Sequence, residues 1–133
     1  MEKTLSIIKP DAVERNLEKE IKTFLQENNL KITKSKKVKI SKEEALEFYK
    51  IHQTKPFYDD LCSYLSSGPI IVMVLEGKDV VSKYRQLMGA TDPKKAENGT
   101  IRKLYGVSID KNSVHGSDSV NNGKIEIDFF FNK

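Results

Sequence analysis

The sequence predicts an α+β domain in which a four-stranded antiparallel sheet is covered by helices, and three observations carry that prediction. The chain has 133 residues, 38% hydrophobic and 32% charged, the size and balance of one globular domain spanning residues 1–133. A continuous apolar run, Ile70-Ile71-Val72-Met73-Val74-Leu75, has strand length and suits a strand covered on both faces or central in a sheet. Segments of period-two and helical spacing alternate around it, in the order strand, helix, strand, helices, strand, helix, loop, short strand. That order fits a split βαβ, ferredoxin-like sandwich with helices on one face of the sheet.

Residues 3–9 alternate loosely through Leu5, Ile7 and Ile8 and meet Pro10-Asp11, which reads as a strand ending in a turn with Lys9 at its mouth. Leu17, Ile21, Phe24 and Leu25 have helical spacing up to the Asn28-Asn29 stop. Residues 30–40 then alternate through Leu30, Ile32, Val38 and Ile40, among the six lysines that run from Lys31 to Lys42. Lysines on such a strand suit a solvated face at a sheet edge, where they discourage strand-to-strand aggregation. Ser41-Lys42-Glu43-Glu44 is a capping box, and the helix it opens carries Ala45, Phe48 and Tyr49 on one face. Pro56 interrupts, and Phe57, Leu61 and Leu65 predict a second short helix to about Ser66. After the central strand, Val80, Val81, Tyr84, Leu87 and Met88 recur at helical spacing, and Gly89 suits the residue that follows a helix. Residues 89–100 are polar and turn-rich, a loop long enough to suggest function. At the end of the chain Ile125, Ile127 and Phe129 alternate like a strand, yet Ile125/Phe129 and Ile127/Phe131 also match a helix.

Several classes of function are excluded. No apolar run is long enough to span a membrane, and the N-terminus lacks the features of a secretory signal. The single cysteine, Cys62, cannot form an internal disulfide, so a reducing cytoplasm fits best. The net charge of +4 allows anionic ligands but is too small to argue for a nucleic-acid partner. A Walker motif fails because Gly123-Lys124 is followed by Ile125 and is preceded by no correctly spaced glycine. There is no His-Glu-x-x-His sequence and no paired cysteine for a metal. A Ser-His-Asp hydrolase is disfavoured because Ser117 and Asp118 lie beside His115 in sequence, whereas triads are assembled from separated segments.

What remains is Asn112-Ser113-Val114-His115-Gly116-Ser117-Asp118-Ser119, which surrounds one of the two histidines with hydroxyls, a carboxylate, an amide and a glycine. Imidazole is a nucleophile with an abundant neutral form near pH 7. A polar turn containing a histidine is the competing reading of these residues. Lys9, Arg85 and Arg102 are cations placed at a strand end and around the polar loop that carries Thr91. Such cations suit polyphosphate oxygens, arginine as a fork of donors and lysine as a point charge.

Taken together, these stretches resemble the nucleoside diphosphate kinase family over essentially the whole chain. The resemblance rests on Ile8-Lys9-Pro10-Asp11, on Phe48-Tyr49 with Lys55-Pro56-Phe57-Tyr58, and on Ser67-Gly68-Pro69. It continues through Arg85-Gln86-Leu87-Met88-Gly89-Ala90-Thr91-Asp92-Pro93, Gly99-Thr100-Ile101-Arg102 and the segment around His115. The resemblance implies the ferredoxin-like fold and reversible transfer of a γ-phosphoryl group from a nucleoside triphosphate to a diphosphate. It implies a ping-pong route through phosphorylated His115, with Mg²⁺ carried by the nucleotide. Carried over residue by residue, it assigns Lys9, Tyr49, Arg85, Thr91 and Arg102 to the phosphates, with Lys9 and Asn112 reaching the ribose. Phe57 would stack on the base, with Leu61 and Ile109 completing an apolar slot that tolerates any base. Ser117 and Glu126 would orient and polarise the imidazole, and Asp118 would touch Mg²⁺ through water. The family also implies a helix over residues 120–131 and a homo-oligomer, a hexamer or tetramer of a common dimer. Two positions depart from the pattern: Arg15 is followed by Asn16 where a glycine is usual, and Ile51 stands where a carboxylate is often found. Two other readings compete, a ferredoxin-like nucleic-acid-binding or regulatory module and a relative that binds nucleotide but transfers poorly.

Overall fold

The computed structural model describes residues 2–50, 53–107 and 113–131. Its strands are β1 (Glu2–Ile8), β2 (Lys31–Val38), β3 (Ile70–Gly77) and β4 (Val114–Gly116). They form one sheet in the order β2-β3-β1-β4, with every neighbouring pair antiparallel. The helices are α1 (Pro10–Glu14), α2 (Glu18–Glu27), α3 (Lys42–Phe48), α4 (Tyr58–Leu65), α5 (Val80–Met88), α6 (Ile101–Tyr105) and α7 (Val120–Phe131). This is the ferredoxin-like arrangement that the order of elements predicts.

The helices cover both faces of the sheet, not one as expected. The reason lies in the apolar run of β3, whose successive side chains point to opposite faces. Ile71, Met73 and Leu75 join Ala12, Ile21, Leu25, Val80, Tyr84, Met88 and Ile101 from α1, α2, α5 and α6. Ile70, Val72 and Val74 join Leu5, Ile7, Ala45, Cys62, Leu65, Ile127 and Phe130, so α3, α4 and α7 form the second layer. A sheet apolar on both sides needs two covers.

Local chemistry explains the ends of the elements. Pro10-Asp11 is the first turn of α1 rather than a plain turn, because proline lacks an N–H that would go unsatisfied there anyway. Asn16, at the position where the resemblance expects glycine, has φ 59°, a left-handed conformation that asparagine tolerates better than most residues. Gly89 ends α5 with φ 86°. The short helix α6 was not anticipated; Thr100 caps it, its side chain accepting from the Lys103 N–H at 3.4 Å.

The ambiguous C-terminal segment is helical. Its buried face is Gly123, Ile127 and Phe130, whereas Ile125, on which both periodic readings depended, is exposed. Gly123 permits the close approach, since a Cβ there would lie 3.0 Å from the Lys3 carbonyl of β1. The lysine-rich β2 is an edge strand as expected, with its register interrupted between Ile32 and Lys34. Its face is not purely solvated: Lys36 Nζ donates to the Phe130 carbonyl and lies 4.8 Å from the centre of the Phe131 ring.

The Ser41 capping box is complete, with Ser41 Oγ accepting the Glu44 N–H at 3.1 Å and Glu44 Oε1 accepting the Ser41 N–H at 3.0 Å. Ser41→Ala is expected to lower the free energy of unfolding by about 1 kcal/mol in urea titration. An unchanged midpoint would mean that the cap does not support α3.

Candidate active site

The three-residue strand β4 presents its side chains alternately. Val114 and Gly116 face the layer of α1, α2, α5 and α6, and His115 faces the layer of α3, α4 and α7. Gly116 is dictated by this packing, because a Cβ would fall 2.7 Å from Met88 Cε and from Tyr84 Cε2. The imidazole is thereby directed at α7, where Glu126 waits. The His115 side chain is 17% exposed, enough for a ligand to reach it.

A chain of hydrogen bonds fixes the ring. His115 Nε2 lies 2.9 Å from Glu126 Oε1, and Ser117 Oγ donates to the same oxygen at 2.9 Å. Ser117 Oγ in turn accepts the Leu5 N–H of β1 at 3.1 Å. A carboxylate oxygen has lone pairs for both contacts and no proton to give. That assigns the ring proton to Nε2 and leaves the lone pair on Nδ1, which makes no hydrogen bond among the described residues.

Two aromatic rings wall the imidazole. Phe48, not singled out as a site residue in the sequence, stands edge-on with its centroid 5.5 Å away, and Tyr49 is similarly placed at 6.0 Å. Tyr49 is buried at the C-terminus of α3, and burial, with the nearby Glu126 charge, pushes its hydroxyl well above its ordinary pKa. It remains a neutral hydroxyl at any physiological pH.

Arg102 reaches β4 from α6. Its Nη1 donates to the Gly89 carbonyl at 3.1 Å and its Nη2 to the Val114 carbonyl at 3.0 Å, so it ties the end of α5 to the residue before His115. Burial lowers its pKa, and the neighbouring Arg85 lowers it further against the opposing influence of Tyr84 and Tyr49. The guanidinium still keeps its charge. Arg85 and Tyr49 are thus close enough to Arg102 to be felt electrostatically, a convergence that sequence spacing could not establish.

Lys9 is buried at the end of β1, where its N–H donates to the Ser113 carbonyl at 2.8 Å. Ser113 has φ 75°, a left-handed conformation unusual for a residue other than glycine, and its hydroxyl donates to Asp11 Oδ2 at 3.3 Å. Tyr64 of α4 completes the arrangement: its hydroxyl accepts the Asp11 N–H at 2.8 Å and donates to Asp11 Oδ1. Asp11, Tyr64 and Ser113 were not assigned roles from sequence. The Lys9-Pro10-Asp11 motif contained one signal, but the other two partners lie 53 and 102 residues away from Asp11.

The structure therefore brings His115, Ser117, Glu126 and Tyr49 together directly, and joins Arg102 to Val114 of β4 and Lys9 to Ser113 just before it. Phe57 precedes α4 and is exposed, with Lys55 Nζ 5.8 Å from its ring centre, while Leu61 is half-buried on α4. Arg85 and Thr91 are exposed on α5 and in the following loop. Asp118 is also exposed, its Oδ1 accepting from Asn122 Nδ2 at 2.6 Å. Ile109 and Asn112, and the departure at Ile51, lie outside the described residues. A separate groove of about 470 Å³ is lined by Val13, Asn16, Lys19, Lys22 and Lys37 among others, and by none of the predicted site residues.

Comparison with known proteins gives a consistent picture. The family model for nucleoside diphosphate kinase matches residues 2–133. A nucleoside diphosphate kinase of Persephonella marina is 52% identical over 133 residues, all of this chain and 95% of the relative. One from Campylobacter lari is 56% identical over 133 residues, covering all of this chain and 97% of the relative. Among solved structures, the Aquifex aeolicus nucleoside diphosphate kinase has a TM-score of 0.93 at 38% identity, covering 98% of this chain and 94% of that one. The Halobacterium salinarum nucleoside diphosphate kinase in complex with CDP has a TM-score of 0.94 at 43% identity, over 99% of this chain and 88% of that one.

The linkage of Asp11 to Tyr64 makes a stability prediction. Tyr64→Phe leaves a buried backbone N–H and a carboxylate oxygen without their partner, and is expected to cost about 1–3 kcal/mol in urea unfolding. A variant as stable as the parent would show that this hydroxyl does not hold α1 to α4.

Proposed function

The chain belongs to the nucleoside diphosphate kinase family, whose reaction exchanges a γ-phosphoryl group between nucleoside triphosphates and diphosphates, and we propose that this exchange passes through a phosphohistidine at His115. The observation that carries the reading is the 2.9 Å contact between His115 Nε2 and Glu126. With Nε2 protonated and held, the Nδ1 lone pair attacks the γ-phosphorus of the triphosphate. The Nδ1–P bond forms, the bond from phosphorus to the bridging oxygen breaks, and the diphosphate leaves with that electron pair. An acceptor diphosphate then attacks the same phosphorus with a terminal oxygen, and the Nδ1–P electrons return to the ring. One pocket serves donor and acceptor in turn, as covalent catalysis requires.

Glu126 stabilises the positive charge that grows on the ring as Nδ1 bonds phosphorus, and Ser117 holds that carboxylate in place. Lys9, Tyr49, Arg85, Thr91 and Arg102 bind the phosphates, and positioning and charge are what this reaction needs most. Arg102 commits one bond from each Nη to a carbonyl, so its plane is set before any ligand arrives. Lys9 and Asn112 reach the ribose. Phe57 stacks on the base beside Leu61 and Ile109, and its exposure leaves the ring face accessible. Stacking favours broad base specificity.

Mg²⁺ fits as an ion carried by the nucleotide. Asp118 is exposed and keeps one carboxylate oxygen for a water of that ion, and a single carboxylate suits a cation that takes its other oxygens from phosphates and water. When bound, Mg²⁺ would neutralise charge on the transferring phosphates. Residues 1–133 act as one domain in this reading, in a cytoplasmic homo-oligomer, a hexamer or tetramer of a common dimer. Among the described residues no helix is long and apolar enough to cross a membrane.

Incubation with γ-labelled ATP and Mg²⁺ is expected to leave an acid-labile, base-stable label on the chain that discharges to added GDP. His115→Ala should take up none while remaining folded, and a labelled variant would refute the assignment of the nucleophile. Glu126→Gln is expected to slow label uptake by about ten- to hundredfold, the weight of a charge-assisted hydrogen bond. Uptake at the parent rate would remove Glu126 from the mechanism.

A further inference from the structure

The imidazole of His115 is held on one face of the sheet, but a second hydroxyl holds its backbone from the other. Tyr84 of α5 is fully buried, and its hydroxyl lies 3.2 Å from the His115 carbonyl oxygen, to which it donates. Ser6 Oγ lies 2.6 Å from the same hydroxyl. With the tyrosine proton committed to the carbonyl, Ser6 is the donor in that second contact. Ser6 is paired with Gly116 across the β1–β4 ladder, so Tyr84 spans the ladder beside the nucleophile.

The location matters because β4 is a weak platform. It is an edge strand of three residues, with β1 as its only partner among the described residues. Ring packing against Gly116 needs only a phenyl group, and a buried hydroxyl is costly unless it is bonded. Here the hydroxyl is bonded, and to the main chain of the reacting residue. Burial pushes its pKa up to about 12, so it stays a donor throughout the working range.

We propose that Tyr84, assisted by Ser6, is a positioning residue for phosphoryl transfer, fixing the His115 peptide so that Nδ1 keeps its aim as the ring gains and loses the phosphoryl group. The inference rests on the phosphohistidine reading. Glu126, Phe48 and Tyr49 hold the imidazole itself, but the position of Nδ1 also depends on where the peptide that carries the ring sits. The bond to the carbonyl fixes that peptide. Tyr84 is fully buried in the layer on the face of β4 opposite the imidazole, so its effect belongs to the transfer step and not to nucleotide affinity.

The test is Tyr84→Phe, which keeps the ring that fills the space over Gly116. Single-turnover uptake of label from γ-labelled ATP and Mg²⁺, measured by rapid quench on wild type and variant, is the readout. The rate at saturating ATP is expected to fall about three- to tenfold, the weight of one ordinary hydrogen bond, with half-saturation by ATP changed less than twofold. Ser6→Ala, which leaves Tyr84 its bond to the carbonyl, should show a smaller loss of the same kind. The inference is overturned if Tyr84→Phe matches the wild-type rate, if rate and half-saturation worsen together, or if the variant fails to fold. A wild-type chain that takes no label on His115 ends the phosphohistidine reading and this inference with it. A labelled wild type with an equally fast variant ends this inference alone.

Discussion

The Glu126 oxygen that lies 2.9 Å from both His115 Nε2 and Ser117 Oγ joins three parts of the chain. Through Ser117 it is linked to the Leu5 N–H of β1, and it belongs to α7, which docks on β1 at Gly123. If α7 is displaced, the ring loses its proton acceptor, Ser117 loses the group it donates to, and nothing selects between the two nitrogens of the imidazole. The packing of α7 therefore sets the surroundings of His115. Its supports lie far from the histidine: Ile127 and Phe130 sit in the apolar layer, and Lys36 of β2 meets the Phe130 carbonyl at the last turn, where a cation complements the helix dipole.

The division of labour between the two sheet faces follows from the period of a strand. On one side of β4 the imidazole meets Glu126, Phe48 and Tyr49; on the other, Gly116 lets Tyr84 and Met88 come within contact of the backbone. A residue at position 116 with any side chain would push one layer away from the other. The cations arrive along the edge. Arg102 attaches to the Val114 carbonyl and Lys9, through its own N–H, to the Ser113 carbonyl, so each is tied to β4 or to the residue just before it.

Much of this was legible in the sequence. The apolar run of β3, the Ser41 capping box and the Gly89 helix end are local signals, and each produced the expected element. The second helical layer was missed because the covering of a strand's two faces is a property of tertiary packing, and period-two alternation in β1 is masked by buried Thr4 and Ser6. For α7 the apolar positions pointed to a face through Ile125 that the helix leaves in water, since Gly123 sets the rotation by allowing close approach. His115 stood out by the polar residues around it, whereas Glu126 was readable only through the family resemblance. Tyr84 and Asp11 were assigned no role from sequence: Tyr84 has the spacing of a core position, and the side-chain partners of Asp11 are remote in sequence.

The bond between the Leu5 N–H and Ser117 Oγ spans 112 residues. A chain leaving the ribosome at roughly 5–20 residues per second carries β1 for several seconds before the segment that completes the site exists. During that interval β1 can pair with β3, but its other edge has no partner, and the central strand stays open on that side. No stage of synthesis before α7 thus brings His115 and Glu126 together. A nascent or prematurely terminated chain lacking β4 and α7 carries Lys9 and Arg102 without His115 or Glu126, and an exposed strand edge that invites aggregation or chaperone capture.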